Sequence, residues 1–205
     1  MSADHASAGV GGLILAAGAG WRFGSPKQLA LLDGRPLLEH ALAAMAAATR
    51  VERAVVVVLG CGAEEIRARV ELHGAQALIC ADWEEGQAAS LRAGVAALAE
   101  QVDAIVVTLG DQPAIDPRAI DRVVNARTNA AVALRAGYGG RPGHPVLLER
   151  PLFAAVSGLR GDEGARTLLS GVTAPLIACD GLGSDIDVDT VEQLRARAGG
   201  PGSPC

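Results

Sequence analysis

The sequence predicts an α/β protein built on a doubly wound, mostly parallel sheet in a single domain. Three observations carry that prediction. Short apolar runs alternate with stretches of helical periodicity along the chain, as a parallel sheet with crossover helices demands. Two of the runs, Ala54–Leu59 and Ala104–Leu109, are apolar on both faces, which suits central strands covered by helices above and below. A length of 205 residues suits one domain with a core that needs no disulfide or metal staple.

The elements follow in order. Residues 1–10 are expected to be disordered and the domain to span 11–198. The run Gly12–Ala17 reads as the first strand, cut off by Gly18, and apolar periodicity places a helix at Pro36–Ala48. Ala54–Leu59 and Ala77–Cys80 read as strands flanking a helix at Ala63–Glu71. A helix at Ala89–Glu100 leads to the strand Ala104–Leu109. Asp116-Pro117 has the cap-then-proline form of a helix start and opens Pro117–Ala126. Strands are expected at Ala130–Arg135, Val146–Leu148 and Leu176–Ala178, and short helices at Leu152–Ser157 and Ala165–Ser170. The last helix, Thr190–Ala198, takes its cap from Asp189 or Thr190. The tail 199–205, rich in Gly, Pro and Ser, is expected to be disordered. No internal repeat is present.

Half the residues are apolar but only 2% are aromatic, so Ala, Val, Leu and Ile must build the core. Scarce aromatics argue against single-stranded nucleic acid as a ligand, since it is bound on stacking platforms. The formal charge of −5 argues against a general polyanion surface, so any anion site must be local. Cys61, Cys80, Cys179 and Cys205 are widely spaced, a pattern that suits reduced thiols rather than a disulfide frame or zinc site. No secretory signal opens the chain and no apolar run reaches membrane-spanning length. A cytoplasmic protein acting away from membranes is expected.

Chemistry concentrates just after the first strand. Gly18 and Gly20 are followed by Arg22, Gly24 and Lys27. Glycines there let backbone N–H groups approach an oxyanion, and the cations neutralise phosphate, Arg as a fork and Lys as a point charge. The loop reads as a triphosphate cradle; the plain alternative for a lone Arg or Lys is a solvated charge. A P-loop is excluded, because Gly24 is followed by Ser25-Pro26-Lys27-Gln28. The dinucleotide fingerprint fits poorly: Gly18, Gly20 and Gly24 are spaced one residue too long. The second strand also ends Leu59-Gly60-Cys61 without the ribose-binding acid.

Asp111 follows the Ala104–Leu109 strand through Gly110, and ligands in such sheets bind beyond the carboxyl ends of strands. Loop and acid should therefore share one edge. Asp111 suits a hard cation, or else a turn or helix cap. In Asp185-Ile186-Asp187-Val188-Asp189, alternation puts three carboxylates on one side if the segment is extended, where they repel unless a cation screens them.

The stretch Leu15, Ala16, Ala17, Gly18, Ala19, Gly20, Trp21, Arg22, Phe23, Gly24, Ser25, Pro26, Lys27 reads L-A-A-G-x-G-x-R-F-G-x-x-K. It resembles the opening signature of the nucleotidyltransferases related to molybdopterin cytidylyltransferase and molybdenum cofactor guanylyltransferase. Further matches are Glu85–Leu91 (E-G-x-x-x-S-L), Gly110–Pro113 (G-D-Q-P), Gly143-His144-Pro145 (a G-x-P turn), Gly161–Arg166 (G-D-x-G-A-R) and Asp187–Thr190 (D-x-D-T). They run in the family's order across about residues 12 to 197, and together they are specific. Trp21 departs from the pattern, where a small or polar residue is usual.

The resemblance implies a Rossmann-like nucleotidyltransferase fold and transfer of a nucleoside monophosphate from an NTP with release of pyrophosphate. It implies nucleotide contacts from Leu15, Ala16, Ala17, Gly18, Ala19, Gly20, Arg22, Lys27, Gly86, Ser90 and Gly110. Arg22 is implied at the β- and γ-phosphates and Lys27 near the α-phosphate, as the catalytic cations. Mg²⁺ falls to Asp111 and to Asp187, with Asp185 leaving a two-residue register alternative. The second half should hold the acceptor, with His144, Asp162 and Arg166 as candidates. His144 is tempting as a base, but an ionised phosphate acceptor needs none, so a turn or pocket-wall role fits better. Arg166 either binds an anionic pterin phosphate or pairs with Asp162 or Glu163.

The expected activity is Mg²⁺-dependent transfer of CMP from CTP to the phosphate of molybdopterin, for a molybdoenzyme that receives the cofactor. CTP is favoured because L-A-A-G resembles the cytidylyl branch and the Ala17 methyl would crowd a purine. The alternatives are a guanylyl or sugar-1-phosphate nucleotidyltransferase, a pyridine-nucleotide oxidoreductase, and a non-catalytic molybdenum-cofactor chaperone.

Overall fold

The computed structural model describes residues 9–20, 23 and 26–198. Arg22, Trp21, Gly24, residues 1–8 and the tail 199–205 lie outside the described residues. The strands are β1 (Val10–Ala16), β2 (Leu31–Leu32), β3 (Arg35–Pro36), β4 (Val55–Leu59), β5 (Gln76–Ile79), β6 (Ala104–Leu109), β7 (Ala133–Tyr138), β8 (Arg141–Glu149) and β9 (Leu176–Ala178). The helices are α1 (Leu37–Ala47), α2 (Ala63–Arg69), α3 (Gln87–Leu98), α4 (Pro117–Asn125), α5 (Phe153–Val156), α6 (Ala165–Ser170) and α7 (Val191–Ala198).

Seven strands form one sheet in the order β5-β4-β1-β6-β8-β7-β9, with β2 and β3 a separate small hairpin. Only β8 runs against its neighbours; every other pairing in the large sheet is parallel. This is the expected doubly wound, mostly parallel architecture. Alternation along the strands explains the two layers. Ile14, Val57 and Val106 pack beneath α1, α2 and α4. Their neighbours Leu13, Val58 and Val107 face α3, α5 and α6. β1 lies between β4 and β6 and parallel to both, which brings its carboxyl end beside theirs.

Two expectations need correction. Val10 was assigned to a disordered N-terminus, yet it is buried and pairs with Ala104, because its side chain fits the core under β1. Strands at Ala130–Arg135 and Val146–Leu148 were to be separated by a turn at Gly143-His144-Pro145. Instead β7 and β8 form one hairpin that turns at Gly139 and Gly140, with φ of 58° and 74°, the left-handed pair that a tight two-residue turn needs. Gly143, His144 and Pro145 therefore lie inside β8. The register jumps there, from Arg135 opposite Val146 to Ala136 opposite Gly143, so His144 and Pro145 bulge out of the ladder. Pro145 has no N–H for a ladder bond, which is why it needs an irregularity. The β2–β3 hairpin, turning at Asp33-Gly34, was also not foreseen.

α3 approaches the sheet closely at Gly94, where a Cβ would run into the Leu13 side chain and come within 3.1 Å of Val58. Gly94→Val should lower stability by about 1–3 kcal/mol, since Leu13 is fully buried and cannot give way. Urea unfolding monitored by circular dichroism checks this; an unchanged midpoint contradicts the packing.

Candidate active site

A cleft of about 380 Å³ opens at the carboxyl ends of the central strands. Leu15, Ala16, Ala17, Gly18 and Ala19 run along one side, and Gly110 and Asp111 along another. Gly86, Ser90 and Asp162 close a third, and Lys27 reaches in from the turn after the loop. Nearly every residue expected at the nucleotide thus lines one concavity. Gly20 is in the same loop, in the left-handed region at φ 62°. Asp187, His144 and Arg166 do not line the cleft.

The centre of the arrangement is an ion cluster. Lys27 Nζ donates to Asp111 Oδ2 at 2.6 Å and to Asp189 Oδ1 at 3.1 Å. Burial alone would lower the lysine pKa, but the Asp111 charge and hydrogen bonds to both acids outweigh it and hold the ammonium above its ordinary range. Asp187 lies close enough to feel Asp111 and Asp189. Burial, aided by those two charges, raises its carboxyl pKa against the opposing Gln112 bond and Lys27 charge. Three carboxylates share one described cation. Asp111 Oδ1 is buried and accepts no hydrogen bond among the described residues.

Two buried glutamines, to which the sequence reading assigned no role, build the frame around this cluster. Gln28 Nε2 donates to the carbonyls of Ala16 and Gly18, at 2.6 and 2.9 Å, pinning the glycine loop from beneath. Gln112 Nε2 donates to Asp187 Oδ1 at 2.7 Å and to the Asp185 carbonyl at 2.8 Å. Val188 N donates to the Asp111 carbonyl at 2.9 Å, so the acidic segment is tied directly to the loop after β6. A polar side chain next to each charged residue, in otherwise apolar surroundings, was the available signal.

The roles within the acidic segment separate cleanly. Thr190 Oγ1 accepts from Gln193 N, while Gln193 Oε1 accepts from the Asp189 and Thr190 N–H groups, a reciprocal cap on α7. Thr190 is therefore the cap and Asp189 is released to meet Lys27. Asp185 faces away toward Gly143, where a Cβ would strike its carboxylate. Gly86, at φ 108°, packs against the Gly161 backbone and Asp162, which carries Asp162 to the cleft wall.

Trp83, Glu84 and Gln87 also line the cleft and were not singled out from sequence. Trp83 covers Gly60 at the end of β4, where a side chain would overlap the ring at 2.7 Å. Arg166 makes no ion pair with Asp162 or Glu163. The Glu163 carboxylate instead accepts from Arg160 N at 3.0 Å. His144 sits in the β8 bulge, its carbonyl accepting from the Tyr138 hydroxyl at 3.0 Å. Burial first, then the Arg135 and Arg166 guanidinium groups, pushes its imidazole down to about 4, so it is neutral near pH 7.

Among the described residues no group of three or more His, Cys, Asp or Glu is gathered in ligating geometry, and no helix is long and apolar enough to cross a membrane. Cys61, Cys80 and Cys179 are free thiols.

A glycine loop and an acid on one carboxyl rim of a doubly wound sheet mark a nucleotide-binding α/β fold. The chain belongs to the MobA-like NTP transferase domain family, whose model matches residues 12–176. It is 36% identical over 196 residues to nicotine blue oxidoreductase of Paenarthrobacter nicotinovorans, covering 90% of this chain and 94% of that protein. It is 33% identical to the purine catabolism protein PucB of Bacillus subtilis, covering 89% and 92%. Among solved structures, Rv0371c of Mycobacterium tuberculosis superposes with a TM-score of 0.84 at 30% identity, covering 94% of this chain and 98% of that one. A manganese complex of the same mycobacterial protein superposes at 0.78 and 28%, covering 94% and 100%. The acidic segment at Asp185–Asp189 lies beyond the residues the family model matches.

The lowered His144 pKa has a defined consequence. An imidazole that protonates more readily when unfolded favours folding above about pH 6.5, and that stability is lost as pH falls toward about 4. Urea midpoints measured between those limits should fall on acidification, and His144→Gln should shrink the fall. An equal fall in both proteins contradicts the assignment.

Proposed function

We propose that the chain transfers CMP from CTP to the phosphate of molybdopterin, releasing pyrophosphate. The observation that carries this reading is the shared cleft, where the glycine loop after β1 meets Asp111 after β6 with Lys27 between them. An acceptor phosphate oxygen attacks the α-phosphorus of the NTP, a new P–O bond forms, and the bond to the β-phosphate oxygen breaks. The electron pair leaves with pyrophosphate. The acceptor is already ionised, so no side chain need remove a proton. Catalysis then rests on positioning and charge neutralisation.

Each residue has a part in that scheme. The backbone of Gly18 and Ala19 accepts the polyphosphate without a side chain intervening at Gly18, where a Cβ would meet nothing within 4 Å. Lys27 neutralises charge between the α-phosphate and the leaving oxygen, exchanging part of its bond to Asp111 or Asp189 for phosphate. Arg22 acts at the β- and γ-phosphates. Ser90 and Gly86 wall the nucleotide, and Asp162 faces the acceptor side.

The family implies a divalent cation, and the donor set supports Mg²⁺ here. Asp111 offers a buried carboxylate oxygen that accepts no hydrogen bond among the described residues, and Asp187 stands beside it, both hard oxygen donors. Such an ion takes only one or two protein carboxylates and would supply charge neutralisation to the phosphates when bound.

CTP is favoured over GTP by the Ala17 methyl in the cleft wall. A second reading rests on the relative named nicotine blue oxidoreductase: the same cleft would hold the pyrophosphate of a pyridine nucleotide. The glycine spacing and the Leu59-Gly60-Cys61 strand end, which lacks a ribose-binding acid, weigh against it.

Each of the four NTPs, with and without isolated molybdenum cofactor, should be assayed for pyrophosphate. Release with CTP plus cofactor is expected, and Asp111→Asn should cut it by about a hundredfold or more while the fold persists. Turnover unchanged in Asp111→Asn removes the role given to that acid. NADPH oxidation without pyrophosphate favours the second reading. Titration calorimetry with Mg²⁺ should show CTP binding more tightly than GTP; the reverse order removes the base assignment.

A further inference from the structure

In a chain with only two tryptophans, one tyrosine and two phenylalanines, Trp83 is the one aromatic side chain among the described residues that line the cleft. Its seat is specific. Gly60, buried at the end of β4, leaves no room for a side chain of its own: a Cβ there would lie 2.7 Å from both Cβ and Cγ of Trp83. The tryptophan therefore rests on bare backbone. Part of it packs on the core beneath α3, and part stays open to the cleft.

The turn that carries the ring is braced from two directions. Trp83–Glu85 is a short 3₁₀ turn, closed by Gly86 N donating to the Trp83 carbonyl at 3.1 Å. Arg92 of α3 donates to Glu85 Oε2 and to the Leu159 carbonyl, both at 2.8 Å. Ala88 N donates to the Gly161 carbonyl at 3.0 Å. An indole held this way presents an apolar π surface to the solvent in the cleft, which a planar heterocycle would cover.

The cleft is also polarised from end to end. β1 lies between β4 and β6, so Trp83 at the end of β4 and Asp111 after β6 flank the glycine loop from opposite sides. Lys27, the one cation among the described lining residues, is bonded to Asp111. The wall on the Trp83 side instead carries Glu84, next in the chain, and Asp162, which packs against Gly86. Carboxylates there repel a polyphosphate and leave a neutral ring unopposed. Charge thus draws phosphate to one end, and apolar surface awaits a ring at the other.

We propose that Trp83 is the stacking platform for the base of the NTP. The inference rests on the nucleotidyltransfer reading and orients its substrate: the base lies on the indole over the end of β4, and the phosphates run past the glycine loop toward Lys27 and Asp111. Every base has a π face, so the platform supplies affinity without choosing among bases.

The test uses the full chain carrying Trp21→Phe, which leaves Trp83 as its only tryptophan. With Mg²⁺ present, CTP should quench the indole emission saturably. Inorganic triphosphate should compete with CTP yet cause no quenching of its own. Trp83→Leu should weaken CTP and GTP binding alike, by about tenfold or more, while triphosphate affinity stays unchanged, and Trp83→Phe should recover part of the loss. A ring that only supports the fold would move base and triphosphate binding together. The emission titration needs no change at Trp83, so it decides the matter even if Trp83→Leu fails to fold. Absence of CTP quenching overturns the proposal, as does equal quenching by triphosphate. A raised acceptor KM in Trp83→Phe, with CTP affinity unchanged, also overturns it and gives the ring to the other substrate. The two readings fail separately: base-dependent quenching without pyrophosphate release keeps the platform and removes the transfer reaction. Pyrophosphate release with an unaltered KM for CTP in folded Trp83→Leu removes the platform alone.

Discussion

One ammonium group ties the rim together. Lys27 comes from the segment after the glycine loop, Asp111 from the end of β6, and Asp189 from the chain just before α7. These acids are 84 and 162 residues from the lysine in sequence, so the bridge closes contacts that no local propensity provides. Both Lys27 and Asp111 are largely shielded, at 16% and 21% side-chain exposure. In such a setting the pair itself contributes modestly, but removing one partner strands a desolvated charge. Its main consequence is geometric: the glycine loop and the acidic edge cannot drift apart without breaking it.

The neutral scaffold beneath the cluster matters as much as the charges. Gln28 grips the loop carbonyls and Gln112 grips the acidic segment, each from a buried position. An amide side chain suits these places because it donates without adding charge to a site already rich in carboxylates. The rim also divides by sign. Acids and one lysine gather near β6, while Arg135 on β7 and Arg166 on α6 form no ion pair among the described residues.

Much of this was legible before the fold was known. The apolar runs of β4 and β6 mark buried central strands, and the glycines after Ala17 together with Asp111 after Leu109 place chemistry at strand ends. That rule of open α/β sheets needs only strand order to bring Gly18 and Asp111 into one cleft. The β7–β8 hairpin was not legible, because Gly143 and Pro145 carry turn signals that the Gly139-Gly140 turn and a bulge override. With it went Arg135, which reads as an ordinary strand-end arginine until the bulge sets His144 beside it. Alternation put Asp185, Asp187 and Asp189 on one side, yet hydrogen bonds to Gln112, Lys27 and Gln193 give the three different duties. Such pairings over long sequence separations leave no periodic trace.

The central claim is that one polyphosphate, held between the glycine loop and the acids after β6, occupies the cleft that Lys27 spans. Manganese bound with a non-hydrolysable CTP analogue tests it directly through paramagnetic broadening of backbone amides. The account predicts that Gly18, Ala19, Asp111 and Val188 broaden together, and only when metal and nucleotide are both present. Broadening confined to one side of the cleft, or found elsewhere on the sheet, would contradict it.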